Sequence, residues 1–600
     1  MDSQTKICQN CKKDFVIESE DFVFYEKMKV PPPTWCPECR LIRRLAYREE
    51  RSFFKDKCER CKKDVVSLFA PGHSFPVYCS ECWWKDDWSG TEYGEEYDFN
   101  KTFFEQLREL QNKVPTQATN LRNSTNCNYC HGNIRCKDCT FVFGGFQTIN
   151  CYYCQAPLFS RNSMDSDILF NADHVYETVN STGVYNTKFT YFSDECMDSS
   201  FLFNCEGCTN CFGCVNLRNQ NYCIFNKQYT KEEYKKEIAK WDLGSYKTIQ
   251  EVKKKFMGLY YKTPRRCARI ISSSNVTGDD IKNTKNCKNC FMTLNGVENC
   301  KNVFTCGLLL KDSQDVTFGG DTSQLLYEVN GSTQSQRVLF TRGSNNLIDS
   351  KYCENIYGGA HLFGCVKLKQ KKYCILNKQY TKEEYEELIP RIKQHMDEMP
   401  YVDKKGRVYK YGEFYPSEHS FWAYNETWAN KFFPLSKEEA LEQGYYWRDS
   451  IKKDYKITIN EGGLPDHIDD IPDSILGEVI VCEHAVKKED NTYEVSCNEQ
   501  CSTAYKILPD ELQFYCKMKI ALPRLCPNCR HYERLSKLNP PKIWNRQCMC
   551  NGLKSLNGEY QNNIKHFHGE NPCQNKFETA INEQRKEIVY CEQCYQSEFI

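Results

Sequence analysis

Residues 211–234 read CFGCVNLRNQNYCIFNKQYTKEEY, and residues 362–385 read LFGCVKLKQKKYCILNKQYTKEEY. A shift of 151 superposes the two segments. The same shift matches Tyr176 and Glu177 with Tyr327 and Glu328, Phe189 and Thr190 with Phe340 and Thr341, and Cys136 and Cys139 with Cys287 and Cys290. The chain therefore contains a duplication covering 121–245 and 272–396. Within each copy, short β-favouring pieces such as FVF, FLF and YCIF are separated by Asn, Asp, Gly and Ser, with no sustained helical period. That pattern predicts the stacked rungs of a β-solenoid or β-helix-like sheet, with an antiparallel sandwich as the alternative. Each copy ends on a helix, YTKEEYKKEIAKW or YTKEEYEELIPRIKQH, for which Thr230 and Thr381 are natural N-caps. Such helices would cover exposed sheet edges.

Around this core the composition narrows the choices. Six hundred residues imply several domains, and 80 Lys plus Arg against 80 Asp plus Glu leave no global charge to draw the chain to nucleic acid or a membrane. No apolar run approaches the roughly 20 residues that span a bilayer. The start, MDSQTKICQNCKKDF, lacks a secretory pattern, so a cytoplasmic, reducing setting is expected. There, 39 cysteines point to metal before disulfides, and an odd total suits the disulfide alternative poorly.

The two ends repeat each other. CQNCKKDFVIESEDFVFYEKMKVPPPTWCPECRLIRRL near the start and CNEQCSTAYKILPDELQFYCKMKIALPRLCPNCRHYERL near the end align at a shift of 490, pairing Cys11 with Cys501, Tyr25 with Tyr515, Cys36 with Cys526, Cys39 with Cys529 and Arg44 with Arg534. Cys497, expected to match Cys8, is one residue out of register. A second set, Cys58, Cys61, Cys79 and Cys82, finds its counterpart in Cys573, Cys591 and Cys594 at a shift of 512. Cys548 or the nearby Cys550 completes that set, and the inserted stretch contains His566 and His568. Two thiolates separated by two residues on a tight turn aim at one ion, and a second such knuckle completes a tetrahedron. Thiolates suit zinc or iron–sulfur, so about four zinc ions per chain are expected, with sequential or cross-braced pairing of the knuckles both open.

Residues 6–45 resemble the zinc-ribbon (treble-clef-like) family: CxxC, a Phe/Val-rich strand, a Phe-Tyr-x-Lys stretch, proline, then CPxCR and a basic helix. Residues 497–535 resemble it again, with three residues inside the first knuckle. The whole chain is similar to cysteine-rich zinc-ribbon proteins of bacterial genomes, a resemblance that implies a metal and a fold but no substrate. The expected fold class is thus mixed and mainly β, with zinc-ribbon modules at both ends of a duplicated β-solenoid-like core with capping helices. The expected organisation is ribbons at 1–52 and 53–95, β repeats at 121–245 and 272–396, an aromatic-rich subdomain at 401–450 with a SKEE capping box at Ser436, a linker at 451–480, and ribbons at 481–540 and 541–600.

Several motifs divide between a functional and a plain reading. Cys205, Cys208, Cys211 and Cys214 are spaced like iron–sulfur ligands, but their counterparts are Ile356, Gly359, Leu362 and Cys365, and Cys196 faces Leu347, so buried small hydrophobes are expected. The Cys127–Cys154 group is the place for an additional ion. Arg40, Arg43, Arg44, Arg48 and Arg51 lie on one helix, where they would contact phosphate or else form a solvated face pairing with Glu49 and Glu50. Arg530, Arg534, Lys537 and Lys542 form a thinner copy. Trp83, Trp84 and Trp88 would stack on bases or anchor a protein, and the aromatics of 401–450 would stack or, in the favoured reading, pack onto a neighbour. No Walker, Rossmann, HExxH, GxSxG or kinase signature occurs, and HGENPC only superficially matches the zinc deaminases because Cys573 lacks a partner three residues on. The reading is a zinc-binding, more non-enzymatic than enzymatic interaction protein whose ribbons contact nucleic acid or protein, with no membrane and no small-molecule substrate evident. The alternatives are an iron–sulfur redox protein using the central cysteines and a solenoid scaffold.

Overall fold

The computed structural model describes residues 2–49, 51–449, 455–460, 462–489, 493–497 and 500–600. Both repeats are parallel β-solenoids, not sandwiches. In the first, each rung pairs with residues twelve further on: Lys137 with Ile149, Ile149 with Arg161, Arg161 with Asp173. In the second, the step is eleven at the outset (Ile270 with Ile281, Ser274 with Lys285), thirteen in the middle (Phe291 with Phe304, Phe304 with Thr317) and twelve from Gln324 and Gln336 onward.

The physical basis is a three-residue period. Every third residue adopts left-handed backbone, for example Asn162 (φ 45°), Asp165 (φ 50°), Ile168 (φ 58°) and Asn171 (φ 52°). Asn and Asp tolerate that region best, which explains their density here. Each such residue turns the chain, and the next side chain points into the tube. Leu202, Cys205, Cys208, Cys211 and Cys214 are successive inward positions, none more than 1% exposed. Cys353, Ile356, Leu362 and Cys365 do the same work in the second repeat, all at 0%. The four cysteines of CEGCTNCFGC are therefore a lining, and their thiols face backbone carbonyls: Cys205 Sγ donates to Phe203 O (3.6 Å) and Cys208 Sγ to Glu206 O (3.4 Å). Cys127 lies beside Cys139 in the adjacent rung of the same lining. Inward hydroxyls serve as acceptors where the ladder is interrupted, Ser181 Oγ for Ser193 N (3.2 Å) and Ser193 Oγ for Cys205 N (3.0 Å). Outside, the left-handed residues stack into amide ladders such as Asn150 to Asn162 (3.1 Å) and Asn126 to Asp138 (2.8 Å).

The expected caps are present. Thr230 Oγ1 accepts from Glu233 N (3.3 Å), Thr381 Oγ1 from Glu384 N (3.2 Å) and Ser436 Oγ from Glu439 N (3.1 Å). No helix among the described residues is long and apolar enough to cross a membrane.

The two halves exchange partners. Helix Phe103–Lys113 precedes the first solenoid but packs on the second, with Phe103 5.0 Å from Tyr352 and 5.3 Å from Phe363. Helix Tyr246–Lys262 precedes the second solenoid but packs on the first, with Tyr260 4.8 Å from Phe203 and Phe256 5.9 Å from Phe201. The aromatic stretch of 401–450 fills the seam between the N-terminal module and the second solenoid: Tyr409 lies 6.3 Å from Trp35, Phe414 5.7 Å from Tyr47 and Trp428 4.5 Å from Phe318. Those rings are thus occupied by packing. Within the stretch read as a linker, Asp466 accepts from Ser245 Oγ (2.6 Å), and Ile468 and Ile475 are buried.

Candidate metal centres

Four groups of four cysteines could each hold a metal ion: Cys8, Cys11, Cys36 and Cys39; Cys58, Cys61, Cys79 and Cys82; Cys482, Cys501, Cys526 and Cys529; and Cys548, Cys573, Cys591 and Cys594. The knuckles pair sequentially within each module. All 39 cysteines are free thiols, so disulfides take no part. Four sulfurs at about 2.3 Å from one ion stand about 3.8 Å apart in a tetrahedron. The separations match: 3.8 Å for Cys11 to Cys36, Cys61 to Cys79 and Cys482 to Cys529, and 3.9 Å for Cys573 to Cys591.

One local design builds all four. An antiparallel strand pair carries the first knuckle: Gln4–Ile7 with Asp14–Ile17, Phe54–Lys57 with Asp64–Ser67, Ile480–Val481 with Ala504–Tyr505, and Trp544–Gln547 with Lys576–Thr579. The third cysteine, Cys36, Cys79, Cys526 or Cys591, is the N-cap of a helix and the fourth sits three positions on. In every module the N–H of that third cysteine donates to the sulfur of the first, at 3.2 Å. Such donors favour thiolate over thiol. Burial opposes ionisation of Cys58, but the backbone N–H groups of Cys61, Cys79 and Arg60 draw its thiol down to about 7. Cys8 and Cys591 lie well below the ordinary thiol range, chiefly through hydrogen bonds from Cys36 and Cys548.

The third module departs from the sequence expectation at its first member. Cys482, not Cys497, occupies the place of Cys8: its N–H donates to Thr503 O (2.8 Å) as that of Cys8 donates to Lys13 O (2.9 Å), and its sulfur accepts from Cys526 N. Cys497 is drawn nearby, 3.8 Å from Cys529 Sγ. The alignment missed Cys482 because 18 residues separate it from Cys501, where two separate Cys8 from Cys11. In the fourth module, 24 residues separate Cys548 from Cys573, and Cys548 is the counterpart of Cys58: its N–H donates to Asn575 O (3.0 Å) as that of Cys58 donates to Lys63 O (2.9 Å). Cys550 joins a different group.

The arginine stripe corrects both readings made of it. Arg40, Arg43 and Arg44 on helix Pro37–Leu45 are at most 2% exposed, neither presented to phosphate nor solvated. They enter an acidic cradle formed by the second solenoid and by Glu413 of the aromatic stretch: Arg40 to Asp315 (2.8 Å), Arg43 to Glu328 and Glu413 (3.0 Å each), Arg44 to Asp315 and Glu328 (3.3 Å each). Arg48 and Arg51, expected on the same helix, lie beyond its end at Leu45, over the rings of Phe318 (4.0 Å) and Phe143 (5.2 Å). Glu49 pairs with His131 (2.7 Å), and Glu50 is outside the described residues. Helix Pro527–Leu535 repeats the docking on the first solenoid, with Arg530 to Asp165 (2.8 Å) and Glu511 (3.3 Å), and Arg534 to Asp167 (2.6 Å) and Asp165 (3.2 Å). The tryptophans also turn inward: Trp83 lies 5.3 Å and Trp84 4.8 Å from Tyr357, with Trp88 5.6 Å from Trp83.

Around the second docking, Arg530, Arg534 and His531 face four buried carboxylates, Asp165, Asp167, Glu177 and Glu511. The surplus falls on Glu177. Burial pushes its carboxyl up to about 7 against the pull of Arg534 and Lys253, with Glu533 and Asp165 adding to the rise. The folded chain therefore holds a proton that the unfolded chain loses above about pH 4.3. Stability linked to this group is full below that pH and is lost as pH rises through the folded value. Glu177→Gln, which keeps the neutral form, is expected to match the parent near pH 4 and exceed it by about 1–3 kcal/mol at pH 8. Denaturant titrations at the two pH values check this, and an equal difference at both counts against it.

No protein-family model matches the chain, and no curated protein matches it. Among solved structures, the "putative acetyltransferase from Desulfovibrio desulfuricans G20" aligns over 48% of this chain and 86% of its own at 10% identity, with a TM-score of 0.09. A superposition of that quality carries neither fold nor function.

Proposed function

We propose that the chain is a zinc-binding, non-enzymatic scaffold of the cytoplasm, in which four zinc-ribbon, treble-clef-like modules staple a duplicated solenoid that engages a protein partner. Sites with four thiol ligands leave no open position for water or substrate, which is the pattern of structural zinc, and soft sulfur donors favour zinc or iron over hard cations. A wholly thiol cysteine complement suits a reducing compartment. The observation that carries the reading is the burial of the basic helices: the guanidinium groups a phosphate backbone would need are paired with the solenoid's own carboxylates.

Elemental analysis of native protein is expected to return at least four zinc ions per chain and little iron, from a colourless solution. Gel shifts with DNA and RNA at low salt should leave mobility unchanged. A salt-dependent shift would restore nucleic acid as the partner. A brown protein with visible charge-transfer bands would favour iron–sulfur chemistry at the central cysteines.

A further inference from the structure

We propose that the fourth module holds two metal ions, bridged by the thiolate of Cys594. The inference rests on the zinc reading of that module and adds a second ion to it. Cys550, His566, His568 and Cys594 bring one ligand atom each within 4.8 Å of one another, and Cys594 also belongs to the set with Cys548, Cys573 and Cys591. Both sets thus meet at one sulfur.

The imidazoles are arranged as metal ligands are. His568 Nδ1 lies 2.6 Å from Asn571 O, which fixes the proton there, and its Nε2 is left 3.4 Å from Cys594 Sγ. His566 Nε2 faces Glu598 Oε1 at 3.2 Å, and its Nδ1 is buried with no hydrogen-bond partner. His566 is 3% exposed and the Glu598 side chain 0%. In each ring one nitrogen is tied to a carboxylate or carbonyl and the other keeps a lone pair, the outer-shell pattern that orients metal-bound histidine. A buried nitrogen lone pair without a partner is otherwise a cost. Cys550 is fully buried, and its sulfur accepts from Asn562 Nδ2 (3.3 Å). Glu598 is itself held by Asn563 N (2.8 Å) and Tyr560 Oη (3.1 Å).

The second ion also accounts for the insertion. The 24 residues between Cys548 and Cys573 supply Cys550, His566 and His568. Leu553, Leu556, Ile564 and Phe567 of this loop are exposed, so it buries little apolar surface with which to order itself. An ion tying Cys550 at one end to His566 and His568 near the other would close it. Loading displaces a single proton, that of the Cys550 thiol, because Cys594 is already a thiolate in the first site and both imidazoles bind neutral. Two sulfurs and two nitrogens complete a tetrahedral site for zinc.

Metal analysis of the full chain against the double variant His566→Ala/His568→Ala tests the proposal. The parent should carry one zinc more than the variant. In cadmium-113-loaded protein, one resonance in the mixed sulfur–nitrogen range should be split by coupling through the shared sulfur to a resonance in the four-sulfur range, and both the extra resonance and the splitting should vanish in the variant. Equal metal content in parent and variant, or no coupled pair in the parent, overturns the bridged site while leaving the four-cysteine centres standing. Should the variant lose its whole module, the coupling in the parent decides. A parent without any metal would instead remove the zinc reading itself.

Discussion

Alanine at Cys526 is expected to unfold the third module and to free one zinc per chain. The strands around Cys482 and Cys501 are only two residues long, Ile480–Val481 and Ala504–Tyr505, so on the reading proposed above a bound metal would supply most of the tie between hairpin and helix. Structural zinc contributes about 10–16 kcal/mol of folding free energy in modules of this size, far above what one cysteine's packing provides. Cys526 stands at the N-cap of helix Pro527–Leu535 without a side-chain capping bond, and alanine keeps the backbone N–H that reaches the Cys482 sulfur, so what the substitution removes is one ligand of four. The damage should not stay local. That helix delivers Arg530 and Arg534 to Asp165 and Asp167, and a released helix leaves two solenoid carboxylates buried without their cations. Hydrogen exchange should show protection lost over 480–540 and weakened around residues 163–178. A strong chelator should reproduce the pattern at all four modules. Unchanged exchange after chelation would remove the metal from the account of these modules altogether.

Arg44→Met is expected to cost about 3–5 kcal/mol, the effect of removing one partner from a buried ion pair. Arg44 meets Asp315 and Glu328 at 3.3 Å, and neither carboxylate is more than 1% exposed. Water cannot take over the role of the lost cation at that depth. Combining Arg44→Met with Asp315→Asn should recover a large part of the loss, because the surplus negative charge goes with the cation. Asn is the suitable replacement since Asp315 has φ 56°, a conformation it tolerates. Urea titrations of the two variants, followed by the fluorescence of Trp35 beside Arg43, measure both effects. Additive losses would mean that the cradle is not the energetic unit its geometry describes.

The duplication and the solenoid were legible because both are local: a repeat is visible at fixed spacing, and Asn-rich turns between short strands leave few architectures. The three-residue period was equally present in the cysteines, 205, 208, 211 and 214, but the same spacing serves metal knuckles. Only the second copy, with Ile356 and Leu362, told lining from ligation. The arginine helix was legible only as far as Leu45, with Arg48 and Arg51 beyond its end, and its fate was not legible, since Asp315 and Glu328 lie more than 270 residues away and nothing in the helix distinguishes a phosphate from a carboxylate. Cys482 escaped because register arguments assume a conserved loop length inside the knuckle. The strand-like EVIVC preceding it, and the similar expansion after Cys548, were the signals available.

The crossed packing of the halves has a consequence for biosynthesis. Arg40 leaves the ribosome 275 residues ahead of Asp315, the carboxylate it pairs with. The N-terminal modules must therefore wait, with their guanidinium groups hydrated, until the second tube has been translated, whereas the C-terminal modules emerge onto a tube already complete. A nascent chain arrested between the two tubes would display the basic helix that the finished molecule conceals, and quality-control factors that recognise unpaired positive charge would have something to grip only during that interval.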